Sequence, residues 1–282
     1  MNAQSAMLGP EASQERPPCP SCPPEITEGI CRRCGGVTKP WVYYAQVMGG
    51  WRWVEPPELC ERCSAQAERR AEAIERRDAY ADLVAKAGLP TEASEWTFAK
   101  AAAAAARLKT GEDLAAWQRA WEQARCWQSD SFGLLLQGPT GTGKTVLAVC
   151  ALKGWLWRRQ APGLYVSAPA VNAALGAKRR PERKAWAREA LEAGQAAGLV
   201  VVDDFAVERL LAEAQRALVA LVDRRRADGR PTLLVTNADR EQIAARFRRA
   251  DPHGRLADRL ADYCPTVLVE GESFRRLMAG GA

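Results

Sequence analysis

The feature that most constrains this chain is a glycine-rich segment, Gly138–Thr145, which lies between a predicted strand and a predicted helix. It reads Gly-Pro-Thr-Gly-Thr-Gly-Lys-Thr, follows the apolar run Phe132–Gln137, and precedes a helical pattern that begins at Val146. The pattern GxxxxGK[ST] in this context is the signature of a phosphate-binding loop. Its glycines let main-chain N–H groups converge on an anion, and the helix adds the positive end of its dipole. The segment therefore predicts a nucleoside triphosphate site.

Two loop residues have distinct predicted roles. The ammonium group of Lys144 can reach the β- and γ-phosphates, and the hydroxyl of Thr145 can bind Mg²⁺. The alternative is a glycine-rich turn that binds no nucleotide. The residues expected to contact the nucleotide are Gly138, Pro139, Thr140, Gly141, Thr142, Gly143, Lys144 and Thr145.

A second nucleotide signature is the apolar run Leu199–Val202, which ends in the acids Asp203 and Asp204. A buried strand that ends in two acids delivers carboxylates to the edge of the sheet where open α/β folds bind ligands. Asp203 is placed to hold Mg²⁺ through its water shell. Asp204 is placed to orient or deprotonate the attacking water.

A polar residue follows the next predicted strand, Thr232–Val235, at Asn237. It could position the attacking water and sense the γ-phosphate, or it could be a turn residue before a helix. The segment Thr236–Asp239 resembles a guanine-reading box in which asparagine replaces the lysine, which favours ATP over GTP.

Arginines before the last strand form a third candidate group. Ring-forming P-loop ATPases often lend an arginine to the γ-phosphate of the neighbouring subunit, where charge grows during transfer. Arg255 and Arg259 are the candidates here. The alternative is an intrahelical salt bridge of either arginine with Asp258 or Asp262.

The alternation of short apolar runs with helical patterns predicts the fold. Further strands are expected at Leu164–Val166 and Thr266–Val269, with helices at 146–160, 185–197, 208–227 and 240–249. Nearly continuous apolar strands that alternate with helices indicate a parallel sheet buried on both faces. We therefore predict an α/β fold with a five-stranded parallel sheet.

The residues before this domain divide into three parts, which predict the domain boundaries. Residues 1–18 are polar and contain proline, as in a disordered lead, and residues 19–66 are rich in cysteine, glycine and tryptophan. Residues 67–98 are assigned to a helix and a linker, and residues 99–282 to the nucleotide domain. The helical pattern itself runs from Ser64 to Gly88. The alanine run 99–106 and the spacing of Leu114, Trp117 and Trp121 predict two more helices, with the tryptophans as packing residues.

Two CxxC pairs, Cys31/Cys34 and Cys60/Cys63, predict a structural zinc site. Each pair can bend two thiolates onto one ion, and two such turns make a closed tetrahedral Cys₄ site, which leaves no position for a catalytic water. Free or redox-active cysteines are the alternative. The intervening stretch 41–54 predicts a hairpin around Gly49-Gly50.

Five further cysteines are not needed for one ion. Cys19 and Cys22 form a third pair, which could replace one of the others or hold a second ion. The isolated Cys126, Cys150 and Cys264 are expected to be small core residues. Because a P-loop enzyme needs intracellular ATP, a reducing cytoplasm is expected, and it favours metal over disulfides. No apolar stretch is long enough to span a bilayer.

Positive charge is concentrated in one short segment rather than in the whole chain, whose 40 lysines and arginines exceed 34 acids only slightly. This segment suits electrostatic contact with single-stranded DNA, and a solvated surface is the alternative. Its candidate DNA-binding residues are Lys178, Arg179, Arg180, Arg183 and Lys184.

Together these residues resemble the AAA+ ATPases of the bacterial helicase-loader family, the DnaC/IstB-like proteins, over the range 90–276. The resemblance rests on the loop, the two aspartates, Gly229–Thr232, Asp258–Leu260 and the closing segment Gly271–Arg275. It implies an AAA+ core without a C-terminal helical lid, with Arg259 as the first candidate finger and Arg255 as the second. It also implies that Arg275 contacts the nucleotide, and that segment 169–197 is a helical insertion that contacts single-stranded DNA.

The resemblance implies two functional hypotheses, and the residues leave open a third from a different class. The first is an ATP-driven loader, with ATP, Mg²⁺ and Zn²⁺ as cofactors, which assembles through its ATP interfaces and whose cysteine module grips the hexameric replicative helicase. The second is an IstB-like transposition helper that clamps duplex DNA. The third is a nucleotide-gated DNA-binding adaptor with negligible turnover. The cysteine module, usually lacking in transposition helpers, favours the loader.

Overall fold

The computed structural model describes residues 29–38, 43–47, 50–54, 59–127, 132–206 and 209–279. The predicted lead over residues 1–18 and the pair Cys19 and Cys22 lie outside the described residues. The chain divides into two compact units, Met1–Glu75 and Arg76–Ala282. In the described part of the chain, no helix is both long and apolar enough to span a membrane.

The first unit contains two small antiparallel sheets and the start of a long helix. Strand β1 (Gly29–Ile30) pairs with β2 (Val37–Thr38), and β3 (Tyr43–Val47) pairs with β4 (Gly50–Val54). The pairing of Val47 with Gly50 confirms the predicted hairpin. Helix α1 (Glu61–Lys86) begins before the predicted Ser64, and Cys63 alone is buried among its described side chains.

Three helices precede the central sheet: α2 (Thr91–Ser94), α3 (Phe98–Leu108) and α4 (Gly111–Cys126). The two tryptophans of α4 are packing residues, as predicted, and their indole groups donate hydrogen bonds to main-chain carbonyls. Trp117 donates from Nε1 to the carbonyl of Thr142 (3.1 Å), and Trp121 donates to that of Phe98 (3.0 Å). The tryptophan spacing therefore identified the packed face of α4 correctly.

The second unit is built on a five-stranded parallel sheet, as predicted. Its strands pair in the order β6-β7-β8-β5-β9. Strand β8 therefore lies between β5, which leads into the glycine-rich loop, and β7, which carries the acids. The strands are β5 (Leu134–Gln137), β6 (Gly163–Ser167), β7 (Leu199–Asp203), β8 (Thr232–Thr236) and β9 (Thr266–Leu268).

Helices cover both faces of this sheet, which makes a three-layer α/β/α domain. Helices α3 to α5 pack on one face, and α6 to α10 contribute to the hydrophobic cluster on the other. The helices not yet given are α5 (Lys144–Arg159), α6 (Ala168–Leu175), α7 (Pro181–Ala196), α8 (Ala212–Ala227), α9 (Arg240–Arg246), α10 (Arg255–Tyr263) and α11 (Phe274–Ala279).

Helix α6 is not among the helices expected from the periodicity, although it lies almost entirely within segment 169–197, where the resemblance implies a helical insertion. Pro169 lies in its first turn, where proline is tolerated because its missing N–H has no intrahelical partner. Ser167 caps the helix by accepting a hydrogen bond from the amide of Ala170 (3.3 Å). The predicted helices 208–227 and 240–249 are also shorter, as α8 begins at Ala212 and α9 ends at Arg246.

A fully buried arginine, Arg225 of α8, joins α7 to the sheet. Its guanidinium group donates to oxygens at the end of α7, in the turn that follows it, and at the start of β8. Burial lowers the pKa of Arg225 to about 10, which leaves it charged at neutral pH. The acceptors are the carbonyls of Gly194, Ala197, Gly198 and Pro231 and the hydroxyl of Thr232.

The isolated cysteines divide into two groups. Cys150 and Cys264 are buried, as predicted. The prediction for Cys126 was wrong, because this residue is exposed at the last turn of α4. Its Sγ donates to Oε1 of Glu122 (3.1 Å), one turn earlier on the same exposed side of the helix.

Candidate nucleotide site and cysteine cluster

The glycine-rich loop connects β5 to α5 through backbone conformations that favour glycine. Gly141 and Gly143 have φ values of +85° and +96°. A Cβ atom would also lie 2.2 Å from the carbonyl oxygen of Val269 at position 138, and 2.1 Å from Oγ of Ser273 at position 141. The loop therefore packs against the chain that follows β9, and there is no space for a side chain at Gly138 or Gly141.

Lys144 is the first residue of α5, directly after the loop, with only 6% of its surface exposed. Its ammonium group donates to the carbonyl oxygens of Gly138 (2.9 Å) and Pro139 (2.6 Å). Burial lowers the pKa of Lys144 to about 8, although the charges of Asp204 and Asp203 oppose the shift. The ammonium group is thus held by neutral acceptors, and a phosphate would be a stronger acceptor for it.

Asp203 ends β7 and is 4% exposed. Its Oδ1 accepts a hydrogen bond from the amide of Asp204 (2.9 Å), and its Oδ2 accepts one from the hydroxyl of Tyr165 (2.5 Å). Burial, followed by the charge of Asp203, raises the pKa of Tyr165 well above its usual value, so this hydroxyl keeps its proton. Both carboxylate oxygens therefore have a donor, and each keeps acceptor capacity for further ligands.

Asp204 follows the strand in the left-handed region, with a φ of +50°. Partial burial and the charge of Asp203 raise the pKa of Asp204, whereas Lys144 and Arg275 lower it. The residue faces the same pocket as Lys144 and Thr145. A carboxylate with a raised pKa is a better proton acceptor, which suits a group that orients or deprotonates water.

Asn237 follows β8 and reaches the loop. Its Nδ2 donates to Oγ1 of Thr140 (3.1 Å). The turn before α9 is capped by Asp239, which accepts from the amide of Gln242 (2.8 Å), so the cap does not depend on Asn237. The ends of β5, β7 and β8 thus bring the loop, the acids and the asparagine to one edge of the sheet.

A pocket of about 500 Å³ lies at this edge, within the size range of small-molecule sites. One end is polar, with Lys144, Thr145, Asp204, Asn237 and Arg275. The other end is an apolar wall contributed by α2, α3 and their flanks, which the sequence analysis missed because no motif marks it. The wall consists of Pro90, Ala93, Trp96, Ala101, Ala104 and Leu108.

Two contacts hold the borders of this pocket. Lys153 of α5 donates from Nζ to the carbonyls of Ser94 (2.8 Å) and Trp96 (2.9 Å), which ties the apolar wall to the helix that follows the loop. On the other border, the amide of Phe274 donates to the carbonyl of Gly141 (2.9 Å). This contact brings Arg275, the predicted nucleotide contact of the closing segment, to the pocket.

The two candidate finger arginines lie on α10, and neither is among the described residues that line this pocket. Arg259 forms an ion pair with Asp223 of α8, with Nη1 2.7 and 2.6 Å from the two carboxylate oxygens. Asp258 pairs with Arg240 of α9 instead of with a residue of its own helix. Arg259 and Asp258 therefore pair with residues of other helices, and not with each other or with another residue of α10 as the salt-bridge alternative expected. Arg255 is exposed at the start of α10.

The four predicted zinc ligands come together in the first unit. The Sγ atoms of Cys31, Cys34, Cys60 and Cys63 all lie within 4.8 Å of one another, and those of Cys34 and Cys60 are 3.7 Å apart. A tetrahedral zinc site with Zn–S bonds of about 2.3 Å separates its sulfurs by about 3.8 Å. The spacing of these sulfurs fits a Cys₄ zinc ion.

Local structure shapes the two cysteine pairs. After the first, Gly35 adopts a φ of +70°, and its amide donates to the carbonyl of Cys31 (2.9 Å). Backbone hydrogen bonds lower the pKa of Cys31 to about 6, while burial raises that of Cys63 to about 12. A divalent cation bound between the four crowded sulfurs would stabilise all of them as thiolates.

The predicted DNA-binding residues lie between α6 and the first turns of α7. Lys178, Arg179, Arg180 and Arg183 are exposed, and Lys184 is partly buried. The same stretch of α7 carries Trp186, which is 47% exposed and was not singled out in the sequence. An exposed aromatic side chain among cations is the combination that binds single-stranded nucleic acids, by base stacking and phosphate contact.

Three comparisons relate the chain to known proteins. The profile of a family described as IstB-like ATP binding protein matches residues 95–279. The solved structure of DnaI is 18% identical in sequence to this chain, with a TM-score of 0.49, and the match covers 64% of this chain and 94% of that one. A structure of the DnaC helicase loader is 20% identical, with a TM-score of 0.44, over 57% of this chain and 92% of that one. The search of curated proteins found no match.

Proposed function

Because the chain belongs to the IstB-like ATP-binding proteins, a family of AAA+ ATPases, we propose that it is an ATP-dependent helicase loader. In this proposal it binds a DnaB-type hexameric replicative helicase and delivers it to single-stranded DNA. The observation that carries the proposal is one chain with both an ATPase-type pocket and a Cys₄ cluster outside it. The pocket supplies the energy-dependent step, and the cysteine module supplies a surface for the partner.

The pocket residues support ATP hydrolysis. The loop amides and Lys144 would bind the phosphates, and Thr145 and Asp203 would hold Mg²⁺, which neutralises charge that develops on the transferred phosphoryl group. Asp204 would orient the attacking water and accept its proton, and Asn237 would position that water near the γ-phosphate. The apolar wall around Trp96 suits a nucleobase.

Completion of this site requires a neighbouring subunit. Arg259 is our first candidate for the arginine finger and Arg255 the second, because both lie on α10 outside the pocket of their own chain. The pairing of Arg259 with Asp223 holds its guanidinium group on the surface of α10 and α8. We propose that subunits assemble with ATP between them, with this surface facing the γ-phosphate of the neighbour.

DNA contact is proposed for the basic stretch that leads into α7. Its exposed cations would contact phosphates, and Trp186 would stack on a base. This proposal predicts stronger binding to single-stranded than to duplex DNA, because bases in a duplex are already stacked. Affinity should fall steeply as salt is raised.

Co-purification with the co-resident replicative helicase tests the loader function. The full-length chain, with zinc present and with or without ATP, should form a complex with the hexamer whose mass includes several copies of this chain. Cys34→Ser should abolish this complex, whereas Cys126→Ser, at an exposed cysteine outside the cluster, should not. The absence of any complex with the wild-type chain would contradict the proposal.

The second candidate function is a transposition helper that binds duplex DNA, which the description of the matching family favours. Footprinting separates the two functions. ATP-dependent protection of duplex DNA, together with no binding to the helicase, would support the helper. Preference for single-stranded DNA together with helicase binding would support the loader.

A further inference from the structure

We propose that Tyr165 is a positioning residue for Asp203, a role that rests on the ATPase function proposed above. Its hydroxyl donates to Oδ2 of Asp203 (2.5 Å). The second oxygen of this carboxylate, Oδ1, accepts from the amide of Asp204 (2.9 Å). The two donors together fix both the direction and the rotation of the carboxylate that is proposed to hold Mg²⁺.

The register of the sheet explains why a tyrosine is needed at this position. Strands β6 and β7 are parallel, with Tyr165 opposite Val201 and Ser167 opposite Asp203. Val201 and Tyr165 belong to the hydrophobic cluster on the α5 face. Two residues along a strand span about 6.6 Å, a distance that a tyrosine ring and its hydroxyl can bridge. The phenol therefore reaches diagonally across the strands to the acid.

The residue directly opposite the acid already has another role. The Ser167 hydroxyl oxygen accepts a hydrogen bond from the amide of Ala170 (3.3 Å), which caps α6. The donor to Oδ2 is the phenol of Tyr165, two residues earlier on the same face of β6. Phenylalanine would keep the packing of the ring and lose only this donor.

The backbone of Tyr165 is itself anchored. Strand β6 lies at the edge of the sheet, and the Tyr165 amide donates outward to the carbonyl of Ala87 (2.7 Å). Ala87 is fully buried, and β7 pairs with the other side of β6. The donor to Asp203 is therefore held in place from both sides of its strand.

The variant Tyr165→Phe tests this role through Mg²⁺ affinity. Loss of a buried hydrogen bond to a charged group should raise the Mg²⁺ concentration for half-maximal ATP turnover about tenfold. Calorimetric titration of Mg²⁺ into the complex with a non-hydrolysable ATP analogue should show the same change. Binding of the analogue in the presence of a metal chelator should be unchanged, because Tyr165 is not among the residues that line the pocket. A Mg²⁺ affinity equal to that of the wild type would overturn the proposal.

Two further variants separate positioning from a general loss of structure. Tyr80→Phe removes a hydroxyl from a half-buried tyrosine that packs edge-on against Trp157, at the far end of α5 from the loop, and should leave Mg²⁺ affinity unchanged. In an Asp203→Asn background, Tyr165→Phe should change Mg²⁺ affinity by less than about twofold, since its effect passes through the carboxylate. Equal effects in both backgrounds would contradict the proposal.

The outcomes also distinguish this inference from the proposed function. A wild-type chain without ATP turnover would contradict the ATPase function, and the calorimetric titration would still test Tyr165. A wild-type chain with turnover and an unaffected Tyr165→Phe variant would contradict the inference alone.

Discussion

The cysteine cluster and the nucleotide pocket each include a glycine-containing turn, yet they differ in what holds them. The cluster brings together four sulfurs from the turn after β1 and the start of α1, and the sheets described in its unit are two-stranded. The pocket stands at the edge of a five-stranded sheet, in which every residue of β7 and β8 is buried. Unlike the cluster, the pocket is thus shaped by packing that does not depend on its ligand.

This contrast indicates that the two sites respond differently to loss of their ligands. A small unit with little core needs a metal or a disulfide for stability, whereas a domain with hydrophobic clusters on both faces of a sheet does not. The following experiments challenge this difference, beginning with the largest expected effect.

Removal of zinc should unfold the cysteine unit and spare the nucleotide unit. The binding free energy of structural zinc is about 10 kcal/mol or more, and it is also the folding free energy of such sites. Cys34→Ser should lose the metal in mass spectrometry and lose amide protection at residues 29–38, 43–47 and 50–54. The exposed Cys126→Ser serves as the control. Weakened ATP affinity in Cys34→Ser would show that the two sites are not independent.

Substitution of the buried Arg225 should destabilise the nucleotide unit and spare the cysteine unit. Arg225→Met leaves several carbonyl groups without a donor and should destabilise the nucleotide unit by about 3 kcal/mol or more. Chemical denaturation monitors the change, and zinc content should stay the same. Arg224→Met, at an exposed neighbour paired with Asp228, should cost less than about 1 kcal/mol. Similar costs for both variants would contradict the structural role of Arg225.

Loss of the proposed base should affect turnover without affecting either fold. Asp204→Asn should lower the ATP turnover rate about 10²-fold or more while calorimetry shows retained ATP binding. The fold should tolerate asparagine, which adopts the left-handed conformation of this residue more readily than most residues. An unchanged rate would favour the adaptor without turnover, and Asp78→Asn, at an exposed position on α1, is the matched control.

The smallest expected effect is a proton taken up when ATP binds. The pKa of Lys144 is lowered to about 8, so above this pH the amine of the free protein is mostly neutral. Phosphate favours the ammonium form, so binding should take up a proton near pH 9, and ATP affinity should fall as pH rises through 8. Calorimetry in buffers with different ionisation enthalpies measures the uptake.

Lys144→Arg provides the control for this measurement, because a guanidinium group stays charged over the same range. Proton uptake that persists in this variant would assign the effect to another group.

The sequence predicted those parts of the site that are local in the chain. The loop and the acid pair each lie in one short segment, and Asn237 follows directly on its strand, so motif and periodicity were sufficient to expect them at one sheet edge. Parallel strands place their carboxyl ends together, which made the neighbourhood of these segments predictable. The spacing of the two CxxC pairs likewise predicted the cysteine cluster.

The parts of the site that the sequence did not predict depend on how segments distant in the chain pack together. Tyr165 reaches Asp203 only because of the register of β6 on β7, and the apolar wall precedes the loop by several helices. The pairing of Arg259 with Asp223 depends on how α10 packs against α8. Cys126 was placed wrongly because the expectation rested on the usual burial of cysteine, whereas its position nine residues after Trp117 puts it on the side of α4 opposite the packed tryptophan.

The hydrogen bonds of Arg225 have a mechanical consequence. One guanidinium group joins the last turn of α7, the turn into β7 and the start of β8. A force applied to α7 by a strand of nucleic acid would therefore be transmitted to the strand that carries Asp203, since the junction between them is braced rather than hinged.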